Sequence, residues 1–480
     1  MRILLSICLL IISLKVSSQS GIIWNPVVNI SNNTFSNLHP RISLDANGNP
    51  LVIWGRINDE SVFFSRWNGT MFTAPIKLNG TFTVAAASWM GADIASHGDT
   101  VYVVMKQTPE ANIASHIYLV RSYNGGITFS SPLQVDNIAD SISRFPTVTT
   151  DATGNPIVAF MKFNKSFSES RWVVTKSIDY GDTFSVDVKA SGWGNSGEVC
   201  DCCPGGIVSD GNKTAMLYRD NNKNIRDTWM GVSTDYSASF SNGFNIDNNI
   251  WNLNACPSTG PDGIIIGDSL YAVFMNGASG SSKVYQSIST LSNSTFQSTQ
   301  PLTADIPGIS LQNYPRIAGD GNAVAVVWNQ VEGGNDQLPI LFTNDIENGF
   351  PVTYDMVDED NITNADVELR NGNVFVVWED DNSGTVKFRS GTFKPITTGI
   401  QENTSQDLFS ISPNPASNSL NIQLITDDAK LIVTDLLGRQ ILSKHIQNNI
   451  QLNISDWTNG IYFITVQSGT LIFSQKFIKE

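Results

Sequence analysis

The 480-residue chain is acidic, with a formal net charge of −15, yet only 15% of its residues are charged. That size allows a large core and more than one domain. The charge balance excludes nucleic acid and anionic membrane surfaces as general partners, while leaving room for a local basic pocket. Gly, Asn, Ser and Thr are abundant, which suits many short strands joined by tight turns.

Residues 1–18 read as a signal peptide. Arg2 supplies the positive end, and Ile3–Leu14 is an apolar run too short to span a bilayer. Val16 and Ser18 are small enough for cleavage before Gln19. Removal of Arg2 and Lys15 takes the formal charge to −17, and Cys8 leaves with the same segment. No later segment reads as transmembrane.

From Arg41 to Trp378 one pattern recurs. An apolar strand reaches a glycine turn, and a β-branched strand then ends near an aromatic residue or Met. The turn glycines are Gly48, Gly98, Gly154, Gly211, Gly267, Gly321 and Gly372, spaced by 50, 56, 57, 56, 54 and 51 residues. A period of this length with strand-type alternation predicts propeller blades. Seven turns predict a seven-bladed ring, six blades plus an insertion being the alternative. Residues 22–30 are expected to complete the last blade and close the ring, which would remove the sheet edges along the circle.

A second signal overlies the first. Ser122, Asn124, Gly126 and Phe129 reappear as Ser177, Asp179, Gly181 and Phe184, and more loosely over 233–240. An Asx side chain bonding its own backbone, a glycine at positive φ and a returning aromatic describe a hairpin tip. These stretches resemble the Asp-box of sialidase-type propellers, in which the box is structural and remote from the catalytic pocket. Known sialidases have six blades, a departure from the count here.

The repeat stops near Gly399. A polar linker over 401–408 is followed at 409–480 by short alternating strands sized for a small immunoglobulin-like β-sandwich. Pro413-Asn414-Pro415, Asp435 with Gly438-Arg439, Asn459-Gly460-Ile461-Tyr462 and the Lys476–Glu480 end resemble the C-terminal sorting domain of the Bacteroidetes type IX secretion system. That resemblance implies the type IX machinery as a partner, passage through periplasm and outer membrane, and a secreted or cell-surface destination. The propeller is accordingly assigned to 21–400.

Four cysteines remain after cleavage: Cys200, Cys202, Cys203 and Cys256. In an exported protein they predict two disulfides. A site of four thiolates, most naturally for zinc, is the alternative, and calcium elsewhere is a further cofactor candidate. The surrounding Tyr218-Arg219-Asp220 and Ile225-Arg226-Asp227 segments resemble an uncharacterised branch of bacterial sialidase-like propellers.

Strand direction gives a filter for chemistry. The glycine turns and Asp-boxes share one face, so the opposite face carries the central mouth where this fold usually keeps its pocket. His97, in a glycine turn, reads as a polar turn residue. The mouth face keeps His116, Glu198, Tyr218, Asp220 and Asp227 as candidate acid, base or nucleophile groups, and Arg144, Arg219, Arg226 and Arg316 as candidate carboxylate binders. Glu332, Glu379 and Asp380 also lie there. Arg41 and Arg316 both follow Pro. The sialidase resemblance implies an arginine triad, a Tyr–Glu pair and an Asp acid. Tyr314 or Tyr271 with Glu198 is the pair available by position. The expected activity is that of a sialidase-like glycoside hydrolase on acidic extracellular glycans. A uronate lyase fits seven blades, with Arg219 or Arg226 neutralising the carboxylate and His116 or Tyr218 moving the proton. A binding module without catalysis is the third reading.

Overall fold

The computed structural model describes residues 21–31, 36–194, 197–304, 307–359, 361–393, 409–425, 428–436, 438–468 and 471–480. The predicted signal peptide and the linker at 401–408 lie outside them. The chain divides into two compact units, Met1–Ile396 and Thr397–Glu480. Both are all-β, and among the described residues no helix is long and apolar enough to cross a membrane.

The first unit is propeller-like. Its described residues form seven antiparallel sheets, six built from four strands consecutive in the chain and the last from three such strands joined by two short N-terminal pieces. The innermost strands are Asn37–Leu44, Asp93–His97, Ser141–Thr150, Gly206–Asp210, Asp262–Ile266, Ile309–Asp320 and Ile362–Arg370. Every one of the seven turn glycines that follow them has positive φ, from 58° to 86°. Glycine alone adopts that region without cost from a Cβ. The second strands read as continuous apolar runs, such as Val101–Met105, because apolar neighbours cover both of their faces.

Apolar clusters tie the sheets into a circle. Leu51, Val62 and Phe64 of the first sheet pack on Val101 and Met105 of the second, and each later sheet packs on its successor in the same way. The cluster of Ile42, Val52, Trp54, Val377, Val386 and Phe388 then joins the last sheet to the first. The expected closing segment occupies its place as two short pieces. Ile23 and Trp24 pair with Thr392 and Gly391, and Val28 and Asn29 pair with Phe388 and Lys387.

The hairpin tips are built from their own side chains. Ser122 Oγ accepts the Gly126 amide (2.9 Å), and Asn124 Oδ1 accepts that of Thr128 (3.0 Å). Ser177 with Gly181 (2.8 Å) and Asp179 with Thr183 (2.9 Å) repeat the arrangement. Ser233 with Ser237 and Asp235 with Ser239 give a third copy, both at 3.0 Å. Phe129, Phe184 and Phe240 each turn back into the cluster between their own sheet and the preceding one. A Cβ at Gly126 would lie 2.2 Å from Phe64 Cζ, so only glycine fits under that ring.

The second unit has a three-stranded and a four-stranded sheet around Phe409, Leu420, Ile422, Leu431, Val433, Ile464 and Phe477. Its sequence motifs hold strands together. Asn414 donates to the Lys476 carbonyl (3.0 Å) and accepts the Ile478 amide (2.9 Å), which fastens the last strand. Arg439 Nε reaches back to Asp435 (2.7 Å) across the turn at Gly438.

Candidate functional site

The site begins with proline. Pro40, Pro146 and Pro315 stand at the mouth end of three innermost strands. Proline has no N–H, so it cannot continue the ladder. The pairing register slips at these points, between Leu38 and Arg41, Arg144 and Thr147, and Asn313 and Arg316. The residue before each proline has positive φ: His39 at 51°, Phe145 at 49° and Tyr314 at 49°. Such bulges re-aim a side chain, and strained positions of this kind gather at functional sites. All three residues line one cavity of about 640 Å³, a volume that includes its open mouth.

The cavity lining holds two arginines and one aspartate, and its walls are partly apolar. Arg41 and Arg316 lie beneath it, with Trp89, Met90 and Phe145 at the sides. The two arginines differ in their partners. Arg316 is bracketed by Asp366 (2.9 Å) and Asp262 (3.3 Å), and those carboxylates raise its pKa. Arg41 donates to the Pro40 carbonyl (2.8 Å) and has no ion pair among the described residues. Burial, and then the charge of Arg316, bring its pKa down to about 10. The charges of Asp366, Asp93 and Asp262 act on Arg41 in the opposite sense, and Arg41, which makes no ion pair among the described residues, is the guanidinium available to an incoming anion.

The neighbouring carboxylates hold the ring together. Asp93 accepts the Val148 amide, Asp262 that of Ile317 and Asp366 that of Ile42, each at 3.0 Å and each from the next innermost strand. Asp93 also accepts the Thr147 hydroxyl (2.7 Å). Asp93 supplies the single carboxylate among the cavity-lining residues.

His39 is set by its surroundings. Its ring packs on Gly91, where a Cβ would lie 2.7 Å from Cδ2. Nδ1 lies 3.5 Å from the Ser88 carbonyl, which can only accept, an arrangement that suits a proton on Nδ1 and a lone pair on Nε2. Burial, and then the charge of Arg41, hold its pKa well below the ordinary value, leaving a neutral imidazole. Its backbone N–H donates to Glu379 Oε2 (2.6 Å), and Asn364 Nδ2 donates to Oε1 (3.1 Å). Burial pushes the Glu379 pKa up to about 8, so this residue is a carboxylic acid at neutral pH. Burial also raises the Tyr314 phenol.

Of the residues singled out by sequence, Arg316 lines this cavity, and Arg144 flanks Phe145. Arg144 pairs with Glu110, reaches the Asp201 carbonyl (3.3 Å) and lies over the Phe145 ring. Arg219 is fully buried and donates to the carbonyls of Arg226 (2.6 Å) and Met275 (2.7 Å). Arg226 donates to the Leu253 carbonyl (3.3 Å), and Asp227 accepts from Trp251 N (2.8 Å) and Asn245 (3.0 Å). Burial raises Asp220 to about 7 and raises the Tyr218 phenol, whose oxygen accepts the Gly192 amide (3.3 Å). His116 pairs with Asp136 (2.8 Å), and Glu198 accepts the Glu169 amide (2.9 Å). The structure therefore gathers His39, Arg41, Tyr314 and Arg316 rather than the Arg219–Asp227 loop. The signal for that set is the shared His-Pro-Arg, Phe-Pro-Thr and Tyr-Pro-Arg register.

The cysteines form one disulfide where two were expected. Cys202 and Cys256 are bonded (S–S 2.04 Å), and Cys200 and Cys203 are buried free thiols. The sulfurs of Cys200, Cys202 and Cys203 lie within 4.8 Å of one another, a cluster able to approach a metal. The four-thiolate set expected for zinc is not present, because two of its members are joined. No calcium-binding motif is evident among the described residues.

Residues 410–480 match the family model described as a secretion system C-terminal sorting domain. No curated protein matches the sequence. Among solved structures, the chain is 12% identical to the α-L-arabinofuranosidase Arb93A from Fusarium graminearum, covering 68% of this chain and 99% of that one at a TM-score of 0.47. It is 13% identical to the polysaccharide lyase Uly1, covering 76% and 91% at a TM-score of 0.47. It is 12% identical to the Hadza microbial sialidase Hz136, covering 74% and 66% at a TM-score of 0.44. None of these assigns an activity to this chain. The C-terminal unit carries a sorting domain of the type IX class, and the protein is accordingly secreted or displayed at the cell surface.

Proposed function

We propose that this chain is a secreted carbohydrate-active enzyme: a seven-bladed propeller over 21–400, followed by a small immunoglobulin-like sorting sandwich over 409–480. Its substrate is an acidic extracellular polysaccharide, and its reaction is β-elimination at a uronate. The carrying observation is the cavity lined together by a neutral His39, Tyr314 and Arg41, a buried arginine that makes no ion pair among the described residues.

In this reading Arg41, backed by Arg316, neutralises the uronate carboxylate and acidifies the adjacent C5–H. His39 Nε2 takes that proton, and a C4–C5 double bond forms as the C4–O bond breaks. The Tyr314 hydroxyl protonates the departing oxygen. Glu379 and Asn364 position the His39 backbone. Hydrolysis by paired carboxylates is less well supported, because Asp93 is already engaged with Thr147 and Val148.

The test is a screen of the mature chain against uronate-containing, sulfated and sialylated glycans, following both reducing ends and the ultraviolet absorbance of unsaturated uronate. Both signals together, lost in His39→Ala and Tyr314→Phe, are expected. Reducing ends without the absorbance would transfer the assignment to hydrolysis. Glycan binding without either product would leave a binding module and sink the enzyme reading.

A further inference from the structure

Four sulfurs run from the surface to the core beside one wall of the cavity. Cys256 is exposed, Cys202 is half-buried and bonded to it, and Cys200 and Cys203 are buried. Cys200 Sγ lies 3.5 Å from Cys202 Sγ and 3.0 Å from Cys203 Sγ. Cys200 and Cys203 have the C-x-x-C spacing that sets two thiols face to face, an arrangement associated with redox-active pairs. Their separation is shorter than a relaxed contact between two non-bonded sulfurs.

We propose that the four cysteines form a thiol–disulfide relay in which the surface disulfide Cys202–Cys256 oxidises the buried pair Cys200 and Cys203. The Cys200 thiolate attacks Cys202 Sγ; the Cys202–Cys256 bond breaks, and Cys256 leaves as thiolate. Cys203, deprotonated in turn, attacks Cys200 Sγ; the Cys200–Cys202 bond breaks, and Cys202 leaves. One disulfide is conserved and two thiols are exchanged, with the two protons passing to Cys202 and Cys256. An external disulfide, of the glutathione class, then reoxidises Cys202 and Cys256 and is itself reduced to two thiols. The electrostatics suit the first step: the Cys203 hydrogen bond, then the positive charges of Arg226 and Arg219, lower the Cys200 pKa, while burial raises that of Cys203. Leaving-group access suits it too, because Cys256 departs into solvent.

The relay acts on the cavity wall. Pro204 and Gly205 directly follow Cys203, Thr259–Pro261 closely follow Cys256, and all five residues line the cavity. The two loops are in contact, since a Cβ on Gly260 would lie 2.5 Å from the Pro204 carbonyl oxygen. Opening the Cys202–Cys256 bond would release one loop from the other.

The experiment treats the mature chain with excess oxidised glutathione and quenches at intervals with an alkylating agent, mapping each cysteine by mass spectrometry. A Cys200–Cys203 bond is expected, preceded by transient alkylation of Cys256. In Cys256→Ser, oxidation of the buried pair is expected to slow by about 10-fold or more. Formation of the buried bond in the unaltered chain without Cys256 ever becoming alkylatable would overturn the relay. So would a buried pair that stays reduced under excess oxidant, or one protected by a stoichiometric zinc ion that a chelator removes. The unaltered chain carries the decisive reading even if Cys256→Ser folds poorly.

Discussion

Two pairs of arginines stand in contrasting surroundings. Arg219 and Arg226 lie in a segment dense with Arg–Asp neighbours, yet both donate to backbone carbonyls. Arg41 and Arg316 come from sequence segments far apart, and together they floor a cavity. Carbonyls take up only part of the first pair's donors, since Arg219 Nε and Arg226 Nη1 are buried without a hydrogen-bond partner. Arg41 makes no ion pair among the described residues and lines a cavity, where it can meet a ligand's charge. Partners, rather than local density of charge in the sequence, separate the two.

The comparison breaks most visibly at Arg219. Arg219→Ala removes a fully buried side chain and leaves the carbonyls of Arg226 and Met275 without these donors, so a stability loss of about 3 kcal/mol or more is expected in denaturant unfolding. An unchanged midpoint would reverse the roles assigned to the two pairs. Arg41→Gln should do the opposite, keeping the fold while lowering kcat/KM by roughly 100-fold or more on the acidic glycan that the screen identifies. Retained turnover would remove Arg41 from the site.

Glu379 sharpens the electrostatic half of the contrast. Its folded pKa, about 8, lies above the ordinary 4.5. Below about 4.5 the carboxyl is neutral in both states, and its full contribution to stability is present. Between about 4.5 and 8 the unfolded state releases the proton while the folded state retains it, so stability falls as pH rises. Glu379→Gln should remove that fall in stability, which is on the order of 5 kcal/mol across the window. An identical slope in the variant would place the proton elsewhere. The smallest effect belongs to the far face. Ser177→Ala deprives the buried Gly181 amide of its acceptor, and a loss of about 1 kcal/mol without change in glycan turnover is expected.

The repeat was legible because glycine turns cannot be replaced cheaply: Gly48 through Gly372 mark one backbone requirement seven times. The hairpin tips were legible for the same reason, since Ser177, Asp179 and Gly181 interact within a single turn. The cavity was not. His39, Arg41, Tyr314 and Arg316 meet only through ring closure, and no local pattern ranks them above His116 or Arg226. The positions after Pro40 and Pro315 were visible as a coincidence, but the bulges that turn His39 and Tyr314 into the mouth are a property of the paired strands. The cysteine pairing was similarly hidden, because composition counts thiols without saying which of three neighbours faces Cys256.

Closure also sets an order of events. Val28 pairs with Phe388, 360 positions downstream, and a long separation of this kind delays pairing far more than it weakens it. Until residues 385–392 are available, the N-terminal pieces at 23–24 and 28–29 lack the strand they pair with, and an unpaired edge is the feature that invites pairing with other chains. A chain stopped short of its seventh sheet is therefore an open arc rather than a smaller ring. The interval between making the first sheet and making the last is when this protein is most exposed to association with its own copies.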